Sequence, residues 1–414
     1  MRMPGGNDAR SMTARTSMSS EDVLRDVQNF SLVLGGPLFQ LLRRAHLSDD
    51  VLMLVRRRVV LAVLICWLPL LALSALHGDL RSGAVAVPFL YDIEAHVRFL
   101  IALPLLIVAE LVVHQRMRPI GQTFLERNLI PEADLARFDG AVTAALRLRN
   151  SVLAEVLLIA LVFGVGVLVV WRHYIALDAA TWYATPTAGG STLTLAGIWY
   201  GYVSLPIFQF LLLRWYFRLL IWARLLWHVS RIRLSLVPTH PDRVGGLGFL
   251  SNTVYAFAVL AVAHGAMLAG AVANRIFYVG ATLIDFKVEV ALLLALLLLV
   301  VYGPLLVFAP QLARAKRTGL REYGTLAERY VREFDTKWLR GGARGDETFV
   351  GSADIQSLAD MINSFEVVRS MRIALVTRDG VLQLAAATLV PILPLVLTMM
   401  PLEELLKRLF GMLL

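Results

Sequence analysis

Seven long apolar runs dominate the sequence and limit the folds that are open to it. They cover roughly residues 59–77, 99–114, 152–171, 197–220, 252–273, 288–309 and 381–400. Each run approaches the ~20 apolar residues that an α-helix needs to cross a bilayer. Because a chain in lipid must satisfy its own backbone hydrogen bonds, the runs predict an all-α, polytopic transmembrane bundle of about seven spans.

The distribution of basic residues predicts how the bundle is oriented. With the N-terminus placed inside, 33 of the 40 Lys and Arg residues fall in inside segments and 7 in outside segments. This bias follows the positive-inside rule and predicts a cytoplasmic N-terminus. It also explains the net charge of +9 without nucleic acid, so the predicted partner is the lipid bilayer, not DNA or RNA.

The chain divides into four parts by composition. We predict a disordered cytoplasmic N-terminus at 1–30, spans one to six with short loops and an N-terminal interfacial helix at 31–310, a cytoplasmic helical hairpin at 311–380, and the last span with an amphipathic tail at 381–414. The last run contains Pro391 and Pro394, so a re-entrant hairpin is an alternative to a seventh span.

Charged residues within the spans are the first candidates for a site, because burying a charge in hydrocarbon costs roughly 2.5–3.5 kcal/mol on insertion scales. Counting about 1.5 Å per helical residue places three of them at similar depth near the inner ends of their spans, and a fourth one helical turn nearer the cytoplasm. They are Glu110, Glu155, Arg214 and Arg218. The cluster is either part of an ion or proton pathway, or a structural ion pair with arginines that reach the headgroups.

The loop PTHPDRVGGLGFL, at 238–250, is the second candidate site. Its glycine amides precede a span and can attract an anion together with an arginine, whereas its histidine and aspartate can face a cation. The residues concerned are His240, Asp242, Arg243, Gly245, Gly246 and Gly248. The alternative is a rigid turn built from the residues that turns prefer. Two ligands are too few to predict a metal, and the single cysteine excludes a cysteine-based metal site.

Two segments carry a resemblance to known sequences. PTHPDRVGGLGFL and GSADIQSLADMINSFEVVRSMR are similar to segments shared by an uncharacterised family of bacterial polytopic inner-membrane proteins. The resemblance implies location in a bacterial inner membrane and a multi-pass architecture. It implies no catalytic residue.

Two functions compete at this point. The favoured interpretation is a channel or transporter for an ion or small solute, assembled as a homo-oligomer, because it accounts for the intramembrane charges. The alternative is a membrane-bound enzyme or signalling component that works through the loop and the hairpin, with His240, Asp242 and Glu366 as its acid–base candidates. We assign no catalytic residue, and no pattern in the sequence identifies a cofactor.

Overall fold

The fold is described from a computed structural model of the chain. The structure describes residues 31–33, 35–36, 51–81, 85–171, 181–187, 190–344, 347–349 and 351–399. The predicted disordered segment at 1–30, most of the predicted interfacial helix near 37–47 and the amphipathic tail at 401–414 lie outside these residues.

The described chain is built almost entirely from helices. The α-helices are Val51–Cys66, Leu68–His77, Ile93–His96, Leu103–Glu126, Leu135–Arg149, Val152–Leu161, Leu195–Trp199, Leu205–Val229, Gly248–Ser251, Thr253–Val279, Lys287–Tyr302, Ala309–Phe334, Ala353–Arg369 and Arg378–Leu389. The 3-10 helices are Phe89–Tyr91, Glu132–Asp134, Leu283–Phe286, Gly303–Phe308 and Val390–Thr398. The π-helical segments are Val97–Ala102, Val162–Trp171, Tyr200–Ser204 and Asp335–Leu339. Two short antiparallel strands, β1 (Ala184–Thr187) and β2 (Gly190–Leu193), pair with Ala184 opposite Leu193.

Six continuous helical stretches within the described residues are long and apolar enough to cross a membrane. They are span one (Val55–His77), span two (Ile93–Glu126), span four (Leu195–Val229), span five (Gly248–Val279), span six (Leu283–Leu339) and span seven (Arg378–Thr398). Span three is a bent pair, Glu132–Arg149 and Val152–Val167, with an angle of 47°. Counting it gives seven, so the predicted all-helical, multi-pass membrane bundle is confirmed.

Prolines explain where two of the spans leave α geometry. Pro104 is the second residue after the π-helical Val97–Ala102, and Pro206 is the second residue after the π-helical Tyr200–Ser204. A proline has no N–H, and its ring pushes against the carbonyl four residues earlier. That carbonyl lies inside the π segment in both spans, so the turn before each proline is the one that widens.

Span five lies at the centre of the bundle and is the most buried of the spans. It packs against spans two and seven. A Cβ atom at Gly265 would lie 2.0 Å from the carbonyl oxygen of Thr388, so only glycine allows the two helix backbones to approach this closely. His264 accepts from the Tyr216 hydroxyl at 2.7 Å and donates through Nδ1 to the Leu260 carbonyl at 2.7 Å, which joins spans four and five.

Span six continues far beyond its apolar part and packs against the helix Ala353–Arg369. The Tyr330 hydroxyl donates to the carbonyl of Asp354 at 3.1 Å, and Lys316 donates to the carbonyl of Met371 at 2.7 Å. Since the partner's residue number falls as the number along span six rises, the two helices run antiparallel. That the hairpin forms a separate cytoplasmic unit stays a prediction.

Candidate functional site

The four predicted intramembrane charges lie together around Glu110. Arg218 Nη1 lies 2.9 Å and Arg214 Nη1 3.4 Å from Glu110 Oε1. Arg214 also reaches Glu155, with Nη2 to Oε1 at 3.7 Å. All four residues are buried, and Glu110 is 6% exposed. Spans two, three and four therefore meet through charged side chains near the end of the bundle that the basic residues predict to be inner.

A fifth member of this charge cluster was missed by the sequence reasoning. Arg58, on span one, forms the shortest contact to Glu110, with Nη1 to Oε2 at 2.6 Å. It stands at the end of the run Arg56–Arg58, which looked like the usual basic flank of a span. With Arg58 included, three arginines face the two carboxylates of Glu110 and Glu155. We call these five residues the inner charge cluster.

Residues 31–33 and 35–36 lie against the inner charge cluster and its neighbour Arg149. Arg149 donates to the carbonyl of Ser31, and Arg218 Nη2 donates to the carbonyl of Val33 at 3.4 Å. Leu32 and Val33 are buried, at 2% and 3% exposure. Because a backbone carbonyl carries a partial negative charge, the contact between Val33 and Arg218 offsets part of the cluster's excess positive charge. Gly36 is also close to the cluster, since a Cβ atom there would lie 3.0 Å from Glu155 Oε1.

A cavity of about 320 Å³ lies at the opposite end of the same spans. Spans two to five all contribute to it, together with the segment around β1. The lining is Val87, Asp92, Glu94, Arg98, Gly166, Thr181, Tyr183, Tyr200, Leu205, Phe208, Gln209, Leu212, Met267 and Asn274. We call it the outer cavity. No pattern in the sequence predicts this cavity.

Two groups of polar side chains shape the outer cavity. Arg98 donates to Glu94 and to the Tyr200 hydroxyl. Asp92 accepts from Trp182 Nε1 and Asn274 Nδ2, each at 2.8 Å. These bonds fix the side chains of spans two, four and five in one arrangement, so the wall of the cavity is preorganised.

Gln209 is the polar group of the outer cavity whose bonding is incomplete. Its Oε1 is buried and has no hydrogen-bond partner among the described residues. Gly166, in the π-helical part of span three, makes room for it, since a Cβ atom there would lie 2.2 Å from Gln209 Oε1. A buried carbonyl oxygen without a donor is costly, at about 1–3 kcal/mol. A bound molecule with an N–H or O–H group would satisfy it.

Three π-helical segments surround the outer cavity, one from each of spans two, three and four. They contribute Arg98, Gly166 and Tyr200 to its wall. A π turn leaves its backbone hydrogen bonds out of the regular α register, and such turns occur frequently at functional sites. The irregular turns therefore coincide with the polar part of the bundle.

The loop at 238–250 uses its aspartate to organise its own backbone. Asp242 Oδ1 accepts from the N–H of Val244 at 2.9 Å and of Gly246 at 3.1 Å, and Oδ2 accepts from the N–H of Gly248 at 2.8 Å. Gly246 has a φ of +99°, which a side chain would strain. The three glycine amides of the loop were predicted to attract an external anion. Two of them, those of Gly246 and Gly248, already donate to the Asp242 carboxylate.

The other residues of the loop also have partners within the protein. His240 Nδ1 lies 2.9 Å from Asp242 Oδ1. The carbonyl of Arg243 accepts from the N–H of Arg372 at 2.7 Å. Burial alone would raise the pKa of Asp242, but the three backbone donors and His240 hold it below its usual range. The loop thus connects the inner ends of the spans, and ligand binding by Gly245 and its neighbours stays a prediction.

Glu366, the third acid–base candidate beside His240 and Asp242, forms an ordinary ion pair within its own helix. Glu366 lies 3.6 Å from Arg369, one turn along the same helix, and both side chains are largely exposed. Within the described ranges, no three His, Cys, Asp or Glu side chains come together as a metal site.

No protein-family model, curated protein or solved structure matches the chain. The resemblance to inner-membrane proteins in the two quoted segments therefore stays a prediction.

Proposed function

We propose that this multi-pass membrane protein is a transporter or channel for a small polar solute or ion in a bacterial inner membrane, and that it works as a homo-oligomer. The outer cavity carries the proposal. Its volume of about 320 Å³ is at the small end of the range for ligand sites, which is about 300–1,000 Å³. The solute is therefore small.

The polar groups that line the outer cavity support the proposal, since they are groups to which a polar solute or an ion can bind. Arg98 and Glu94 are partly buried near the start of span two, and Gln209 is partly buried within span four. The unpartnered Gln209 oxygen gives the solute a group to bind, and the Arg98–Glu94 pair gives it charges of both signs.

The inner charge cluster lies further along the same spans. Arg98 and Glu110 are twelve residues apart on span two, which corresponds to about 18 Å along a helix. Between them lie Leu103 and Leu106, both buried. We assign the outer cavity as the binding site and the inner charge cluster as the inner end of the path, with the apolar stretch as the barrier between them.

Proteoliposomes provide the test. Protein in phosphatidylethanolamine and phosphatidylglycerol vesicles would be assayed for proton, potassium and chloride flux, and for osmotic swelling with glycine, glycerol and erythritol. We expect at least one probe to cross faster than in protein-free vesicles. Gln209→Leu should slow that probe about tenfold, the loss of one hydrogen bond in the rate-limiting state.

The matched control is Gln356→Leu, the same change on an exposed side chain outside the spans. It should leave the flux unchanged. Vesicles that pass none of the six probes, or equal flux in the two glutamine variants, would contradict the assignment.

A further inference from the structure

A groove of about 860 Å³ lies at the inner ends of spans four and six. One wall is the chain at 230–238, directly after span four. The other is the 3-10 segment Gly303–Phe308 with the first turns of the helix that follows it. Gln311 joins the walls, because its Nε2 donates to the carbonyls of Ser230 and Ile232, the latter at 2.7 Å.

The groove is basic. Arg231, Arg233 and Arg314 line it, and Glu322 is the single carboxylate among its described lining residues. Arg233 and Arg314 are exposed, and their side chains form no ion pair or hydrogen bond with any part of the chain that the structure describes. Arg231 stacks on Trp227, with its guanidinium carbon 4.3 Å from the ring centroid. The groove therefore presents arginines whose donors are available to an anion.

The other rim of the groove is apolar and exposed. Trp227 and Leu306 line it and are 50% and 46% exposed. Leu220 and Leu299 continue the exposed apolar surface toward the middle of their spans, at 59% and 67% exposure. Tryptophan is enriched at the membrane–water interface. Arg231 follows the end of span four by two residues, and Arg314 follows the apolar run at 288–309 by five residues. Together with Trp227, this places them near the level of the lipid headgroups.

We propose that this groove binds an anionic glycerophospholipid. The headgroup phosphate lies between Arg233 and Arg314, and an acyl chain follows Leu306 and Trp227. Guanidinium groups match phosphate oxygens with paired hydrogen bonds. Basic pockets between helices on the cytoplasmic side are suited to anionic headgroups. The assignment does not rest on the proposed transport function.

Native mass spectrometry of the purified, delipidated full-length protein tests this. Phosphatidylglycerol, phosphatidylcholine and inorganic phosphate would be titrated separately into the protein in a neutral detergent. We expect phosphatidylglycerol to bind more tightly than phosphatidylcholine, and inorganic phosphate to bind at least a hundredfold more weakly than the lipid, as a ligand without the acyl contact should.

The decisive variant is Arg233→Gln/Arg314→Gln. We expect it to weaken phosphatidylglycerol binding about thirtyfold, the loss expected for two basic contacts to an anionic headgroup. The control Arg317→Gln/Arg321→Gln removes the same charge from exposed positions of the same helix outside the groove. It should bind the lipid within about twofold of the parent protein.

Each other result would overturn the assignment. Equal binding of the two lipids, or equal weakening in the two double variants, would show a diffuse surface attraction. Inorganic phosphate that binds as tightly as phosphatidylglycerol would show that the groove holds a soluble phosphate compound. Because all four arginines are exposed, the variants should fold, and an unchanged circular dichroism spectrum would verify it.

Discussion

Glu110 is the acidic residue whose loss should destabilise the bundle most. Its carboxylate lies within 2.6–3.4 Å of Arg58, Arg218 and Arg214. Glu110→Gln would leave these guanidinium groups buried, with Glu155 as the remaining carboxylate of the inner charge cluster. Removing one partner of a buried ion pair costs about 3–5 kcal/mol. We expect a loss of that size in the free energy of unfolding, measured by detergent denaturation with tryptophan fluorescence.

A matched control distinguishes the effect of breaking a buried ion pair from the effect of removing a charge at the surface. Glu333 pairs with Arg329 at 3.0 Å, but the two side chains are 64% and 79% exposed. Exposed pairs contribute about 0–1 kcal/mol, so Glu333→Gln should have little effect. Glu110→Gln combined with Arg58→Gln restores the charge balance of the cluster and should recover part of the loss. A Glu110→Gln protein as stable as Glu333→Gln would refute the reasoning.

Three further results are expected. Asp242→Asn should destabilise the loop by about 1–3 kcal/mol because its carboxylate binds three backbone N–H groups. Since the pKa of Asp242 is held below its usual range, its contribution is complete above the unfolded pKa of about 3.9 and is lost as the pH falls through the lower folded value. Hydrogen exchange of the loop amides would measure both effects. Gly265→Ala should separate spans five and seven and lower the melting temperature, whereas Gly140→Ala, with open space around it, should not. Tyr216→Phe should leave His264 Nε2 without its donor and cost about 1–3 kcal/mol in unfolding free energy.

The spans and the inner charge cluster could be predicted because their signals are local. Hydropathy identifies a span from its own residues. Depth along a straight helix follows from a fixed rise per residue, so Glu110, Glu155 and Arg214 could be placed at one level. The role of Arg58 in the cluster could not be predicted, because a basic residue at the start of a span gives the same local pattern whether its side chain reaches the headgroups or turns inward. The choice depends on which span packs beside it.

The outer cavity could not be predicted for a related reason. Glu94 and Arg98 stand near the start of span two, where charged residues are common. Gln209 is uncharged and is the one amide side chain in span four, so it forms no pattern with other residues. Nothing in their spacing shows that three spans leave α geometry at the same level. In span three no proline follows the π segment as Pro104 and Pro206 do in spans two and four, so its widened turns carry no sequence signal of that kind.

Span six connects the membrane-spanning part of the bundle to the hairpin through one continuous helical stretch. It is helical without a break from Leu283 to Leu339, 57 residues in all, which is about 85 Å at the usual rise. The hydrocarbon core is about 30 Å thick, so more than half of this helix extends beyond it. From Ala309 to Leu339 it acts as a lever arm of about 46 Å. A tilt of about 10° within the membrane would then displace the far end by about 8 Å, so a small rearrangement around the spans becomes a large movement at the hairpin.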